Sequence, residues 1–420
     1  MITLKIPPKK QFLVAFLSAA YLLCPFLATS QDFHFDSSIS RPVLENYLSR
    51  SISFTELLHD DLSKPRNNRG VDPRDNRRFL LSTKAKFIGR ALMVWGREKE
   101  LPVFLATAKP YAAALHQADP EMILQAAAFE IVTPNVEAIP IPEPVFREFG
   151  QSVTNRAFLY QDMLYPNGRF VNHWRNGSVP DMSRLETRMW FYFLVTSYID
   201  VGIEAIHFGQ IGLMDKNDSG YAGWLDMLGR VRAYARKHAR RHFLLCDAHT
   251  PTGGYVEEGK LLFDFHSFPL RIAEVPDQPP KGVLRVGNSD SIYLRSKGGM
   301  TPSGWACEHL PYLVEFDNFG RSTPGKPSKS PFIWGWDEIT WFALLPEQER
   351  NDWLGYAWKW LKETDANGHL QMPGSRVLTP GTPDGPRWYW ANTRCDACPN
   401  GFNTETTIKA LWGTTPSSTK

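Results

Sequence analysis

Two Asp-x-His pairs are the first residues in this sequence whose types and spacing could do chemistry. Asp247 and His249 stand in "CDAHT", and Asp264 and His266 follow in "FDFHSF", seventeen residues later. On a β-strand, residues i and i+2 point to the same side, so each pair offers a carboxylate and an imidazole together. Such groups can bind zinc or manganese, and they can bind sugar hydroxyls, because the acid fixes the tautomer of the ring. Structural hydrogen bonding is the third interpretation, and sugar binding is the one that we adopt.

Three carboxylates are candidates for acid/base work. Glu130 ends the apolar run "AAAFE", and Glu315 and Asp317 alternate in "VEFDNFG", which places both on one face of a strand. Two carboxyl groups on one face can raise one another's pKa, which suits acid/base catalysis. Pairing of either residue with Arg or Lys at the rim of the sheet is the alternative interpretation. We predict Glu130, Glu315 and Asp317 as the catalytic residues.

Polar and aromatic side chains end other apolar runs as well. In "IEAIHFGQ", His207 and Gln210 fall on opposite faces of an ideal strand, and a bulge at Gly209 would bring them to the same side. The Trp-rich "IWGWDEITWF" could form the floor of a sugar subsite, although core packing explains part of it. Charge is costly inside a packed sheet unless it is paired or used. The predicted substrate-binding residues are Trp95, His207, Gln210, Asp247, His249, Asp264, His266, Trp334 and Asp337.

The elements that must position these residues alternate between strand and helix patterns. Strand patterns lie at 85–96, 121–133, 203–211, 242–249, 261–268, 290–296, 311–319 and 331–339, and helical patterns at 100–118, 184–202, 221–241 and 348–364. Such alternation implies parallel βαβ units, and the Gly-rich fingerprints of nucleotide-binding folds are absent. We therefore predict an α/β fold, a (β/α)8 TIM-like barrel with a Pro/Gly/Asn-rich insertion over about 134–180. The carboxyl ends of its strands would share one mouth, where such barrels build their sites.

Length, charge and the N-terminus bound the class of protein. The 420 residues suffice for one large domain, and 47 basic against 44 acidic residues leave no basic footprint for a nucleic-acid partner. Residues 1–30 combine a basic start, an apolar run and a small-residue "ATS", which is typical of a secretory signal peptide and too short for stable membrane insertion. We expect a secreted or periplasmic protein with a signal peptide at 1–30, an N-terminal extension at 31–80 and the barrel at 81–415.

The cysteines give no sign of a metal centre. Cys395 and Cys398 in "CDAC" could close a tight disulfide loop or remain a thiol pair. They are also half of a zinc site, but no second half is present in the sequence. We predict neither a metal nor a cofactor.

Glu315 within "LVEFDNFG", the segment "IWGWDEITWF" and the signal-like N-terminus together give a resemblance to a known group of enzymes. Over about residues 80–370 the sequence resembles TIM-barrel glycoside hydrolases. It departs from them where "HFGQ" stands in place of their Asn-Glu pair after the middle strand. The resemblance implies a carbohydrate-active enzyme that hydrolyses glycosidic bonds in an oligo- or polysaccharide.

Glycoside hydrolysis normally uses two carboxyl groups, one as acid and one as nucleophile or base. Glu315 is expected as nucleophile or base, Glu130 as general acid, and Asp317 as the substitute for either. A metal-dependent barrel hydrolase or isomerase that uses the Asp-x-His pairs is one alternative. A non-catalytic glycan-binding barrel is the other.

Overall fold

A computed structural model describes residues 31–379 and 387–413. The signal peptide predicted at 1–30 lies outside these described residues. All elements named below belong to the compact unit that begins at Phe33. No helix in the described ranges is long and apolar enough to cross a membrane.

The described residues form helices and strands in an alternating order. The helices are α1 (Arg41–Ser49), α2 (Pro73–Thr83), α3 (Leu101–Ala118), α4 (Glu143–Glu148), α5 (Tyr160–Met163), α6 (Leu185–Ile199), α7 (Ile211–Met214), α8 (Ala222–His238), α9 (Glu338–Leu344), α10 (Glu347–Thr364) and α11 (Glu405–Leu411). The strands are β1 (Ser51–Phe54), β2 (Phe87–Met93), β3 (Ile123–Ala127), β4 (Ala205–His207), β5 (Leu245–Asp247), β6 (Val256–Glu257), β7 (Lys260–Leu261), β8 (His266–Pro269), β9 (Ala273–Glu274), β10 (Gly282–Val283), β11 (Gly299–Met300), β12 (Ala306–Cys307), β13 (Tyr312–Glu315), β14 (Gly368–Leu370), β15 (Met372–Val377) and β16 (Trp388–Trp390).

The main sheet is parallel, which confirms the predicted α/β class. Its strand order is β16-β15-β1-β2-β3-β4-β5, and only β16 runs antiparallel to its neighbour. A second parallel sheet has the order β14-β13-β8. Two features link the sheets: His249 after β5 forms a parallel bridge with Ser267 in β8, and only Gln371 separates β14 from β15 along the chain.

Helices cross over between most neighbouring strands of the main sheet. α2 joins β1 to β2, α3 joins β2 to β3, α6 joins β3 to β4, and α8 joins β4 to β5. Short strands and loops, rather than helices, connect β5 to β8 and β8 to β13 in the described residues. The predicted helices over 100–118, 184–202, 221–241 and 348–364 are thus confirmed as α3, α6, α8 and α10.

Residues 31–80, which the sequence analysis sets before the barrel, supply part of the sheet. β1 lies between β15 and β2, with Ile52 opposite Met372 and Ile88. Phe33, Phe35 and Tyr47 pack in one buried cluster with Phe87, Ile123, Ala205 and Leu245, the first residues of β2 to β5. This segment therefore covers the amino ends of the strands and leaves the carboxyl ends for a site.

Two predicted strands are wrong. In 290–296, Leu294 has a positive φ of 60° and donates its N–H to Asp365, so the segment turns instead of pairing. In 331–339, Trp334 and Gly335 both have positive φ, and Asp337 accepts the N–H of Thr340 as the N-cap of α9. An Asp at an N-cap offers an acceptor to the unpaired donors of a first helical turn, so this aspartate begins a helix.

Candidate active site

A cavity of 560 Å³ opens at the carboxyl ends of the strands. Most of its walls come from residues at or just after the ends of β1, β2, β3, β4, β5, β13 and β15. Arg90 inside β2, Trp174 of the segment 134–180 and Trp388 of β16 complete them. Ligand sites of parallel α/β sheets lie outside the carboxyl ends of the strands, and this volume suits a small ligand. The lining residues are Thr55, Glu56, Arg90, Met93, Trp95, Arg97, Phe129, Glu130, Trp174, Gly209, Gln210, His249, Asp317, Asn318, Phe319, Arg376, Val377 and Trp388.

Five of the twelve residues predicted for the site line this cavity: Trp95, Glu130, Gln210, His249 and Asp317. Trp95 is 39% exposed and has edge contacts with Phe129 and Trp174, with ring centroids 5.2 and 5.6 Å away. The indole of Trp95 thus offers an apolar surface, suited to stacking on a sugar ring, to the cavity that Glu130 also lines.

Glu130 is a buried carboxyl group at the wall of the cavity. Its Oε2 accepts the backbone N–H of Gln210 at 2.8 Å, and its Oε1 accepts from Gln210 Nε2 at 3.1 Å. The indole of Trp174 donates to the Glu130 carbonyl at 3.2 Å. Burial raises the pKa of Glu130, although the Gln210 hydrogen bonds act in the opposite direction. A carboxyl group of this kind is suited to hold and deliver a proton.

Gly209 lets the chain of Gln210 approach Glu130 closely. Its φ is +64°, and a Cβ on this residue would overlap Glu130 Oε2. We expect Gly209→Ala to lower stability by about 1–2 kcal/mol from the backbone alone, and to displace Glu130 as well. Thermal unfolding checks this, with Gly229→Ala on the exposed face of α8 as control, since that glycine has open space around its Cβ position. Gly229→Ala should stabilise the helix by up to about 1 kcal/mol. Equal effects of the two changes would contradict the close approach at Gly209.

Asp317 is the second carboxylate of the cavity, and its side chain is 20% exposed. Its Oδ1 lies 4.0 Å from Arg376 Nη2 and accepts the Asn318 N–H at 2.9 Å. The backbone N–H of Asp317 donates to Glu338 Oε2 at 3.2 Å, and burial raises the pKa of Glu338 to about 7. Asp317 is thus held by its backbone from behind and faces the cavity beside a guanidinium group.

Glu315 lies behind the wall of the cavity and is fully engaged. Arg90 donates to it through Nε at 3.0 Å and through Nη2, Arg376 Nη1 donates at 2.8 Å, and His249 Nε2 lies 3.2 Å from its Oε1. Burial disfavours the charged form, but the two guanidinium groups hold the pKa of Glu315 well below its ordinary value. The predicted nucleophile therefore occupies an ion-pair network, while its neighbour Asp317 faces the ligand space.

Removing the charge of Glu315 should destabilise the fold. We expect Glu315→Gln to cost about 3–5 kcal/mol, because Arg90 and Arg376 would remain buried without their counter-charge. Urea unfolding measures this, with Glu143→Gln as control. The ion pair of Glu143 with Arg147 is exposed, and its loss should change stability by less than about 1 kcal/mol.

The stabilisation by Glu315 should also depend on pH. Because the folded pKa of Glu315 is lowered, its contribution is present above the unfolded pKa of about 4.3 and is lost as the pH falls below it. If the free energies of unfolding of the wild type and of Glu315→Gln depend on pH in the same way in this acid range, the assignment is contradicted.

His207 and Asp247 form a buried pair below the cavity. His207 Nδ1 lies 2.7 Å from Asp247 Oδ2, and Gln125 Nε2 donates to Asp247 Oδ1 at 2.6 Å. Both residues border an internal void of 10 Å³ together with Glu315, which is close to the space one water needs. His207 Nε2 has no hydrogen-bond partner in the structure. These residues support the cavity from beneath and do not line it.

A group that could hold a metal ion is formed by His207, His249 and Glu315, whose ligand atoms lie within 4.8 Å of one another. Its donor set fits a cation poorly, because Glu315 already accepts from Arg90 and Arg376, and two positive groups next to a cation repel it. The predicted metal-ligand set is not brought together either. Among the residues that the structure describes, no metal-capable group contains Asp264 or His266.

Four predicted subsite residues lie elsewhere in the fold. Asp264 accepts from Arg232 Nη2 at 3.2 Å and from the Cys246 N–H at 2.9 Å, and His266 Nδ1 lies 3.1 Å from Ser296 Oγ. Trp334 donates its indole N–H to the Lys281 carbonyl, and Asp337 caps α9. Each of these side chains is buried with a partner from an outer helix or loop, which local spacing along one strand does not reveal.

Cys395 and Cys398 are free thiols in the structure.

Several residues of the cavity were not predicted from the sequence, although the pattern around one of them, Arg90, could have indicated it. Arg90 interrupts the apolar strand β2, where a charge must be paired or used. It adopts a positive φ of 58° at a bulge in the pairing of β2 with β3, which aims its guanidinium at Glu315. The other missed residues with charged or indole side chains are Glu56, Arg97, Trp174, Arg376 and Trp388.

No protein-family model matches the sequence, and no curated protein matches it. The structure is similar to the debranching enzyme of Nostoc punctiforme, with 9% identity and a TM-score of 0.46 over 90% of this chain and 81% of that one. It is also similar to the glycoside hydrolase domain of PelA from Pseudomonas aeruginosa, with 10% identity and a TM-score of 0.29 over 70% and 90% of the two chains. The second of these neighbours is a glycoside hydrolase domain.

Proposed function

We propose that this protein hydrolyses glycosidic bonds in an oligo- or polysaccharide, with Glu130 and Asp317 as its two catalytic carboxyl groups. The observation that carries the proposal is that Glu130 and Asp317, two of the three carboxyl groups that line the cavity, lie in different surroundings, and that the partly exposed Trp95 lines the same cavity. Glu130 is buried, and its pKa is raised. Asp317 is partly exposed beside the Arg376 guanidinium. Carboxyl groups whose environments differ in this way can divide the acid and base roles.

In this mechanism Glu130 donates its proton to the oxygen of the leaving sugar as the glycosidic bond breaks. Asp317 acts on the opposite side, either as the nucleophile at the anomeric carbon or as the base that takes a proton from the attacking water. Arg376 places a positive charge 4.0 Å from the Asp317 carboxylate. Glu315 holds Arg90 and Arg376 in place and acts as a positioning residue. Trp95 stacks on a sugar ring.

We also propose that the parallel strands close into a (β/α)8-type barrel. Support comes from the bridge between His249 and Ser267, which links β5 to β8, and from the continuous segment 368–377, which pairs with β13 through β14 and with β1 through β15. Two of the seven connections between its eight strands would then lack a helix. The segment 134–180 would be the insertion, and it brings Trp174 to the cavity.

Export by the N-terminal segment is a further part of this proposal. The basic start, the apolar run and the small residues before Gln31 support it. A substrate too large to enter a cell would be met outside the cytoplasm.

The experiment that tests the function is a screen of the purified protein against polysaccharides and aryl glycosides, with the double variant Glu130→Gln/Asp317→Asn as control. Release of reducing sugar by the wild type alone is the expected result, and proton NMR of the first product anomer then assigns retention or inversion. Binding of a glycan without turnover would instead favour the non-catalytic glycan-binding barrel.

A further inference from the structure

Glu56 is a carboxylate of the cavity that neither the resemblance nor the proposed mechanism uses. It follows β1 by two residues and lines the cavity beside Thr55. Its side chain is 23% exposed, so it is open to a ligand from one side. Burial raises the pKa of Glu56, against the effect of Arg69 and Arg97.

The backbone at Glu56 is held in an uncommon conformation. Its φ is +58°, and its N–H donates at 3.1 Å to the carbonyl of Arg90, which also has a positive φ of 58°. A non-glycine residue in this region costs free energy, and such residues cluster at binding and catalytic sites. Two of them joined by one hydrogen bond at the wall of the cavity therefore point to a role beyond packing.

The carboxylate of Glu56 has two guanidinium groups and one imidazole near it, at distances longer than a hydrogen bond. Its oxygens lie 3.7 Å from Arg69 Nη1, 3.8 Å from His59 Nδ1 and 3.9 Å from Arg97 Nη1. The imidazole of His59 is neutral, because burial and the nearby guanidinium groups lower its pKa to about 3. The opposite side of Arg97 is fixed by Glu100, which accepts from Nε and Nη2 and leaves Nη1 toward Glu56. Glu56 and Arg97 thus present two carboxylate oxygens as acceptors and one guanidinium N–H as donor side by side.

Arg69 joins Glu56 to an aromatic wall. Its guanidinium donates to the carbonyls of Thr55 and Glu56 and to Asp60 at 2.5 Å. The same guanidinium lies over the ring of Trp388, 4.7 Å from its centroid. Trp388 lines the cavity as Glu56 does. Arg69 therefore links the Glu56 backbone to the Trp388 indole at one side of the cavity.

We propose that Glu56 is a substrate-binding residue which, with Arg97, holds two neighbouring hydroxyl groups of a sugar ring beside the Trp388 indole. One hydroxyl donates to the Glu56 carboxylate, and the other accepts from Arg97 Nη1. The inference rests on the proposed function for the class of ligand, but it assigns to Glu56 binding and not bond cleavage. It also makes the β1–β16 side of the cavity a sugar subsite.

The test measures binding in an Asp317→Asn background, where turnover is suppressed. Maltohexaose, cellohexaose, xylohexaose and chitohexaose are titrated while tryptophan fluorescence is recorded. For each sugar that binds, Glu56→Gln should raise Kd by about 10-fold or more, the range for a hydrogen bond to a charged group. Glu143→Gln is the control, since Glu143 is exposed, pairs with Arg147 and does not line the cavity, and the Kd of this variant should stay within about 2-fold of the background value. Unfolding curves of all variants confirm that each is folded.

In the wild-type background, Glu56→Gln should raise KM and leave kcat unchanged, as for a residue that binds ground state and transition state alike. A folded Glu56→Gln protein with unchanged Kd, or no binding of any of the four hexasaccharides, overturns the inference. A fall in kcat restricted to poor leaving groups would make Glu56 a general acid and also overturns it. Binding that depends on Glu56 in a protein without any turnover supports the subsite and contradicts the glycosidase proposal, so the two failures are distinguishable.

Discussion

Asp317→Asn is expected to lower kcat for glycoside hydrolysis by about 10³-fold, with little change in stability. The amide keeps the shape of the side chain and can still accept from the Asn318 N–H, but it can neither attack the anomeric carbon nor take a proton from water. Removing a positioned base or nucleophile costs about 10²–10⁴-fold or more. Steady-state kinetics on the best substrate of the screen measure the loss.

The control for this change is Asp162→Asn, an exposed aspartate on α5 outside the cavity, which should keep wild-type activity. Added azide or formate can replace a missing carboxylate if Asp317 is a nucleophile or base, so partial rescue is expected. If Asp317→Asn retains full activity and a folded Glu315→Gln protein does not, the catalytic carboxylate is Glu315 and the network around it has been misassigned.

Glu130→Gln should lower hydrolysis of substrates with poor leaving groups by about 10²–10⁴-fold, the contribution of a general acid. Hydrolysis of 2,4-dinitrophenyl glycosides should change far less, because that leaving group departs without a proton. Since burial raises the pKa of Glu130, the acid form persists to a higher pH than that of an ordinary glutamate, and kcat/KM of the wild type should fall as the pH rises through that raised pKa. Glu130→Gln has no proton to lose, so this alkaline limb should vanish.

The dependence on the leaving group separates this prediction from simple damage to the fold. A variant that only disturbs the cavity would lose activity on all substrates alike. Equal losses on natural and dinitrophenyl substrates, or an alkaline limb that survives in Glu130→Gln, would show that another group supplies the proton. Glu56 is the first candidate for that group, because it lines the same cavity and burial raises its pKa too.

Periodicity was enough to predict the helices that cover the sheet and six of the strands. α3, α6, α8 and α10 have long apolar patterns, and apolar runs that end in a polar residue predict β2, β3, β4, β5, β8 and β13. The same reasoning failed at 331–339, where apolar residues surround a turn with two positive φ values and the cap of α9. Hydrophobic runs report burial, and burial is common to strands, turns and helix starts in a large core.

The sequence by itself determined the α/β class, the polar carboxyl ends of the strands, and the places of Glu130 and Asp317 among them. These depend on local patterns of burial and charge along one segment of chain. Only the tertiary structure decided which of these residues face the ligand space. Glu315 and Asp317 share a strand face by alternation, yet Glu315 is covered by Arg90 and Arg376 from two other strands, 225 and 61 residues away in sequence, while Asp317 is open. The pairing of a buried charge depends on partners that folding brings from distant segments, and no spacing within one strand encodes them.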